Sequence, residues 1–412
     1  MSDKIAGKIR WRIATVGWLA VIGWCTLRPA PEQAAAIASL KWYCVVCGDS
    51  GVADVLLNIL LFLPLGAILH AQGWPFRRTL LVVAAISTSI ELIQGQFLVG
   101  RDASIGDVLS NATGGGLGWF GYLGGQALRR PTVSMARRGT VATLGIMTML
   151  WLATGAGLQP SLTGRDPWIG QPAHIGRGPQ PFPGTLHRAT IDGIEIPNDE
   201  MPSRAPWRDS IAIELNATRT SGEIFNRGIV LLRIVDTAQN VEVAMDQRGE
   251  DAWLRLRLRG ADWLLHNPRW LVKRGMRMTP NVPWRFRWTW LRDRFTIVNE
   301  PMAGPHNRVV AVPLSIGLGW VFIHPFTSLV DSTRLLWTVL WLAFWFGLLG
   351  WLAGRLGAQA STFIGVTAIA IYAGVSLFWG MPVLAGEVAA AIIAYAGFGA
   401  MGIRSGGPSL SS

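Results

Sequence analysis

Charged residues are scarce in this chain. They make up 15% of its 412 residues, beside 50% hydrophobic, which excludes an ordinary soluble protein. Cysteine is scarcer: Cys25, Cys44 and Cys47 are all there is. Three thiols cannot build a disulfide scaffold. The one CxxC pair falls short of a four-ligand zinc site, and without a βαβ context it is no thioredoxin-like motif. It is expected in an external loop, as a local disulfide or as two thiols. Cys25, inside an apolar run, reads as inert packing. His266 and His306 lack partners at metal spacing and read as ordinary surface histidines. No metal and no cofactor is therefore expected. Acidic residues number 25 against 37 basic ones, a net charge of +12. That excess does not mean nucleic acid, because many basic residues flank apolar runs, as membrane orientation signals do.

What the chain does hold is long apolar runs and tryptophan. A mean hydropathy of +0.33 and eight apolar runs predict a polytopic α-helical membrane protein. The spans are expected at 13–27, 54–71, 79–95, 107–128, 140–158, 333–353, 362–380 and 382–403. The first follows Lys4, Lys8, Arg10 and Arg12, and Arg77, Arg78, Arg129, Arg130, Arg137, Arg138, Arg355 and Arg404 flank later ones. Alternating the spans puts every basic cluster on the cytoplasmic side. The first span also has the charged start of a signal peptide, with Ala34-Ala35-Ala36 downstream. It is expected to be retained, because the later spans need an anchor on that side. Among the 21 Trp, Trp11, Trp42, Trp74, Trp151 and Trp320 fall near run ends, where interfacial anchors belong.

Polar groups interrupt three of these runs. Asp54 and Asn58 lie four apart, as do Asp107 and Asn111, so each pair shares a helix face; Glu91 and Gln94, three apart, share another. Arg101 and Asp102 sit in the connection between the third and fourth spans. The orientation places all of them near the outer leaflet. An ionisable group at bilayer depth is expensive and marks function, although a single amide can simply hydrogen-bond helices together. Asp54, Glu91 and Asp107 are the candidate catalytic acids and bases. Asn58, Gln94, Arg101 and Asn111 are the candidate ligand-binding groups, with Arg101 able to fork onto a carboxylate or phosphate. The fourth span also carries Gly114 with Gly118 and Gly121 with Gly125, spaced for close helix approach. Pro64 is expected to kink the second span.

In this order and spacing, Asp54-x3-Asn58-x3-Phe62-x-Pro64-x-Gly66, then Glu91-x2-Gln94, then Arg101-x5-Asp107-x3-Asn111-x2-Gly114 resembles the VanZ-like family, over residues 13–128. The resemblance implies a cell-envelope role at the outer face of the inner membrane, with a link to low-level teicoplanin resistance. It implies no known reaction.

Residues 159–332 are different material. Pro and Gly are dense from Gln159 to Gly184, which reads as an irregular entry. Alternating segments then predict strands at 210–216, 228–236, 241–246, 253–259, 284–291, 294–299 and 309–314. This is expected to be an extracytoplasmic all-β sandwich or jelly roll between helices five and six. The pattern is similar to a concanavalin A-like or laminin-G-like sandwich. That resemblance implies glycan binding, for which Arg255, Arg257, Arg259, Arg285 and Arg287 are the candidates against a plain solvated basic face. The expected domains are thus 1–158, 159–332 and 333–412. Glu387 stands out in the last span, as a member of the cluster or, by preference, at a helix interface.

Three functions follow as expectations. The first is an envelope protein that recognises or modifies a cell-wall or lipid-linked precursor, with membrane lipid and an envelope glycan as partners. The second is an enzyme acting on a polyprenyl-phosphate-linked glycan through the clustered carboxylates. A transporter ranks last, because the sequence shows neither inverted repeats nor polar residues on the cytoplasmic half.

Overall fold

The computed structural model describes residues 2–29, 42–46, 48–101, 103–129, 131–162, 167–172, 182–201, 210–220, 229–237, 240–302, 308–324 and 329–405. Cys47, Asp102 and His306 lie outside the described residues. The chain divides into two compact units. The first is Met1–Thr132 with Leu264–His266 and Ile323–Pro325, and the second is Val133–Trp263, Asn267–Phe322 and Phe326–Ser412.

The first unit is built on four helices, α1 (Ser2–Thr26), α2 (Gly51–Ala71), α3 (Phe76–Phe97) and α4 (Ile105–Arg129). Leucine and isoleucine fill α2, which ends where Gly73 takes a φ of +85°. There the amides of Gly73 and Trp74 fold back onto the His70 and Leu69 carbonyls, the Schellman arrangement that only glycine enters without a Cβ penalty. Pro64 sits inside α2 without ending it. The Trp18 indole of α1 donates to the Leu61 carbonyl at 2.9 Å, near the donor that proline removes. Ile22, Phe62, Leu65, Leu69, Val83 and Ile90 form the apolar core.

Helices α2 and α4 meet backbone to backbone. A Cβ at Gly114 would lie 2.4 Å from the Ile59 carbonyl oxygen, and one at Gly118 would lie 1.8 Å from that of Leu63. Gly114 and Gly118 thus perform the close approach their spacing predicts. Gly121 and Gly125 do not: a Cβ at either meets nothing within 4 Å among the described residues.

The second unit combines helices with strands. Its long helices are α5 (Val133–Gly157), α7 (Asp331–Gly354), α8 (Ala358–Phe378) and α9 (Ala385–Ser405), and a single turn, α6 (Arg259–Asp262), lies among the strands. Among the described residues six helices, namely α2, α3, α5, α7, α8 and α9, are long and apolar enough to cross a membrane. Helices α1 and α4, also expected as spans, are 25 residues each and fall outside that set of six.

Two sheets form the sandwich. One has the strand order β13-β9-β8-β7-β6-β1-β4 and the other β12-β11-β10-β5-β2-β3. Here β1 is Trp168–Pro172, β2 Gly184–Ile191, β3 Ile194–Glu195, β4 Glu200–Met201, β5 Ser210–Arg219, β6 Ile229–Val235 and β7 Val241–Arg248. The remainder are β8 Asp251–Leu256, β9 Trp270–Val272, β10 Pro283–Leu291, β11 Arg294–Pro301, β12 Arg308–Pro313 and β13 Leu329–Val330. A strand lies at each of the seven predicted places, but the one expected at 253–259 ends at Leu256, and Arg259 opens the helical turn α6 instead. The Pro/Gly-rich entry, expected to be irregular, contains β1. Gly170 permits it, because a Cβ there would meet the Pro197 carbonyl oxygen at 2.1 Å.

Alternation decides which side chains fill the sandwich. Trp284, Phe286, Trp288 and Trp290 of β10 point into the core while Arg285, Arg287 and Thr289 point out. Trp270 of the other sheet closes on Trp290 and Phe295, with ring centroids 6.1 and 5.3 Å apart. Truncating a fully buried tryptophan such as Trp288 to alanine costs about 3–5 kcal/mol.

Candidate functional site

The residues marked by sequence gather at one end of the first unit. Asp54 lies in the first turn of α2 and Asn58 one turn later; Asp107 and Asn111 stand likewise in α4. Glu91 and Gln94 lie near the end of α3. The structure connects them pairwise. Asn58 Nδ2 donates to Asp107 Oδ1 at 2.8 Å, joining α2 to α4. Asn111 Nδ2 donates to Ser87 Oγ at 2.9 Å, joining α4 to α3. Glu91 Oε2 accepts the Ser104 amide at 2.8 Å, and the Ser104 hydroxyl accepts the Gly106 amide at 3.1 Å. These two bonds satisfy donors at the start of α4, which a helix leaves open by its own geometry.

Gln94 and Arg101 turn towards α1. Gln94 Nε2 donates to the Thr26 carbonyl at 2.8 Å and Arg101 Nε to the Arg28 carbonyl at 3.2 Å. Both acceptors lie at or just past the end of α1, where carbonyls lack intrahelical partners. The two predicted ligand-binding groups thus hold the end of α1. The Nη groups of Arg101 make no hydrogen bond among the described residues. Glu91, Gln94 and Asn111 are buried, and Asn111 Oδ1 has no hydrogen-bond partner among the described residues.

Asp54 is different. Its side chain is 53% exposed. Ser50 Oγ donates to Oδ2 at 2.9 Å, and His266 Nε2 stands 3.5 Å from Oδ1. The other ring nitrogen, Nδ1, is 2.6 Å from the His324 carbonyl oxygen. A carbonyl only accepts, so Nδ1 carries a proton. Neutral His266 therefore presents a lone pair to Asp54, and the imidazolium presents a second N–H. The segment bearing His266 is fixed to α2: the Leu264 carbonyl accepts the amides of Val52 and Ala53 at 3.0 and 3.2 Å. Sequence reading took His266 for an ordinary surface histidine, because no local spacing links it to an acid so distant in the chain; the structure instead sets it between the His324 carbonyl and Asp54. Sequence reading also missed Ser87 and Ser104, two ordinary serines whose roles come from packing.

A loop covers the start of α4. Ile105 donates its amide to the Trp42 carbonyl at 2.9 Å, and a Cβ at Gly106 would meet the Val45 carbonyl oxygen at 2.5 Å. Cys44, in this loop, is disulfide-bonded, and Cys25 is free.

The candidate glycan-binding arginines do not share a surface. Arg255 lies on β8 of the seven-stranded sheet and Arg257 directly follows it, whereas Arg285 and Arg287 lie on β10 of the other. Three of them are ion-paired: Arg257 with Asp262 and Glu242, Arg285 with Glu214 and Glu300, and Arg287 with Glu214. Glu242 is fully buried, and neither of its oxygens has a hydrogen-bond partner among the described residues. Burial pushes its carboxyl up to about 7, opposed by Arg257 at 3.5 Å. Burial raises Asp246 as well, against the pull of Arg233, Arg269 and Arg255. Glu387 belongs to the second unit, where it accepts hydrogen bonds from Ser315 and Tyr372, as a helix-interface residue does. Among the described residues no group of His, Cys, Asp or Glu could hold a metal ion.

No curated protein and no solved structure matches the chain. One family model does, and its match coincides with the helices that bring the acids and amides together. Residues 15–128 match the VanZ/LLP1 family model, so this helical segment is similar to that family.

Proposed function

We propose that this VanZ-like protein recognises or modifies a cell-wall or lipid-linked precursor at the outer face of the inner membrane. In this reading all eight long helices span the bilayer, both termini are cytoplasmic, and the sandwich is extracytoplasmic and contacts the glycan of the same ligand. The resemblance to VanZ extends the reading to low-level teicoplanin resistance. The observation that carries it is the collection of Asp54, Asn58, Glu91 and Asp107 at a single end of three helices. Hydrogen bonds that merely join helices also occur elsewhere, as between Gln72 and Thr15, but the carboxylates of α2, α3 and α4 gather at this end alone. The test is to purify the protein in native lipid and identify the lipid retained. Asp54→Asn should lower the yield of a precursor lipid while leaving the unfolding temperature in place. Recovery of bulk phospholipid only, equal in the two proteins, defeats the proposal.

An enzymatic reading has one observation in its favour, the imidazole of His266 beside the Asp54 carboxylate. Acid–base chemistry on a polyprenyl-phosphate-linked glycan would use Asp54, with Asp107 and Glu91 next in line. It differs from pure recognition in one measurable respect. Asp54→Asn and His266→Gln would abolish turnover of the retained lipid without releasing it.

A further inference from the structure

Arg28 and Arg101 stand apart from the paired arginines of the sandwich. Neither has a carboxylate at ion-pair distance among the described residues, whereas Arg257, Arg285 and Arg287 all do. The two residues are adjacent in space, because Arg101 Nε donates to the Arg28 carbonyl. That bond anchors Arg101 through Nε, and its two Nη groups make no hydrogen bond among the described residues. Arg28 is held differently, its guanidinium 4.7 Å over the ring of Trp24. Gln94 braces the same stretch through the Thr26 carbonyl. Glu91, the nearest acid in the α3 sequence, is directed to the Ser104 amide.

We propose that Arg28 and Arg101 form a clamp for the phosphate group of a membrane lipid. This rests on the membrane reading above and names the part of the ligand that is bound. Two guanidinium groups with no carboxylate partner among the described residues supply planar N–H edges and charge suited to a phosphate monoester, which offers three oxygens and nearly two negative charges. The surroundings select a lipid over a free anion. Trp24, Phe97 and Val99, which flank the two arginines in sequence, are 68%, 75% and 65% exposed. Exposed aromatic and apolar groups beside arginines, at the ends of membrane-length helices, are the signature of the headgroup boundary. A phosphate held there has its hydrocarbon tail beside these side chains. Arg28 is thereby a binding residue, and Arg101 both fastens α1 and binds.

The test uses the full-length protein in detergent micelles, titrated with four probes and followed by native mass spectrometry. The probes are dioleoyl phosphatidic acid, dioleoyl phosphatidylcholine, dioleoylglycerol and inorganic phosphate. Phosphatidic acid should bind best and dioleoylglycerol weakest. Arg28→Gln and Arg101→Gln should each weaken phosphatidic acid roughly tenfold, with Arg28→Lys between them and the parent. Arg101→Gln also loosens α1, so the decisive variant is Arg28→Gln, because the Arg28 side chain makes no hydrogen bond among the described residues. Equal phosphatidic acid affinity in the parent, Arg28→Gln and an Arg129→Gln control overturns the clamp. Tight inorganic phosphate with no preference for the lipid overturns the lipid assignment. If the arginines bind phosphatidic acid but no precursor is recovered from native membranes, the clamp stands and the functional proposal falls. If a precursor is recovered equally from the parent and from Arg28→Gln, the clamp falls and the functional proposal stands.

Discussion

His266 Nε2 stands 3.5 Å from Asp54 Oδ1 across 212 residues of sequence, with its other nitrogen fixed by the His324 carbonyl. Only the imidazolium attracts the carboxylate, and Asp54 is half exposed, so the pair contributes at most about 1 kcal/mol to stability. A double-mutant cycle separates that from function. Asp54→Asn and His266→Gln should each leave the unfolding temperature within a few degrees. In retention or turnover of the native lipid the double variant should be no worse than the worse single one. Additive losses would mean the two residues act separately.

The contact of α2 with α4 gives a sharper stability prediction. Gly118→Ala puts a methyl group 1.8 Å from the Leu63 carbonyl oxygen and must force the helices apart. A loss on the order of 3 kcal/mol, or failure to accumulate in the membrane, is expected. Gly121→Ala, which meets nothing within 4 Å, should be neutral to within about 0.5 kcal/mol. Thermal unfolding in detergent reads both, and equal behaviour would refute the packing.

Burial of Glu91 makes its substitution a test of structure before chemistry. Glu91→Ala leaves the Ser104 amide without its acceptor and should destabilise the first unit by about 1–3 kcal/mol. Glu91→Gln keeps an oxygen for that amide and should recover most of the loss, as measured by the unfolding midpoint.

In the sandwich, the pH dependence has a definite sign. Glu242 ionises near 7 when folded and at the usual 4.5 when unfolded. The folded state therefore keeps a proton that the unfolded chain has released. Stability falls as pH rises from about 4.5 to about 7 and is level above that, by an amount of the order of 3 kcal/mol. Glu242→Gln should flatten this slope, making the variant the more stable protein at pH 8. Tryptophan fluorescence of unfolding from pH 5 to pH 8 checks it; parallel curves for the two proteins would dismiss a buried titrating Glu242.

Local pattern carried much of this fold. The strict alternation of Trp284 to Trp290 fixed a strand and its buried face, and Asp107 with Asn111 fixed one face of α4. What pattern could not show was pairing at long range. Gln94 and Arg101 were legible as polar groups at a helix end, but that they bind the carbonyls closing α1 depends on packing between distant segments. Arg257 and Arg287 look equivalent in sequence, yet strand order sends them to different sheets, each with its own acids. Trp168 to Pro172 was hidden by its glycine and proline, which signal a turn unless a neighbouring backbone demands the missing Cβ.

The fit of α2 against α4 also limits how the protein can move. With carbonyls pressed on glycines at Gly66, Gly114 and Gly118, there is no slack for either helix to slide or roll alone. The two behave as a single strut, so any opening around Asp107 must come from the segments packed on that strut and not from sliding between α2 and α4.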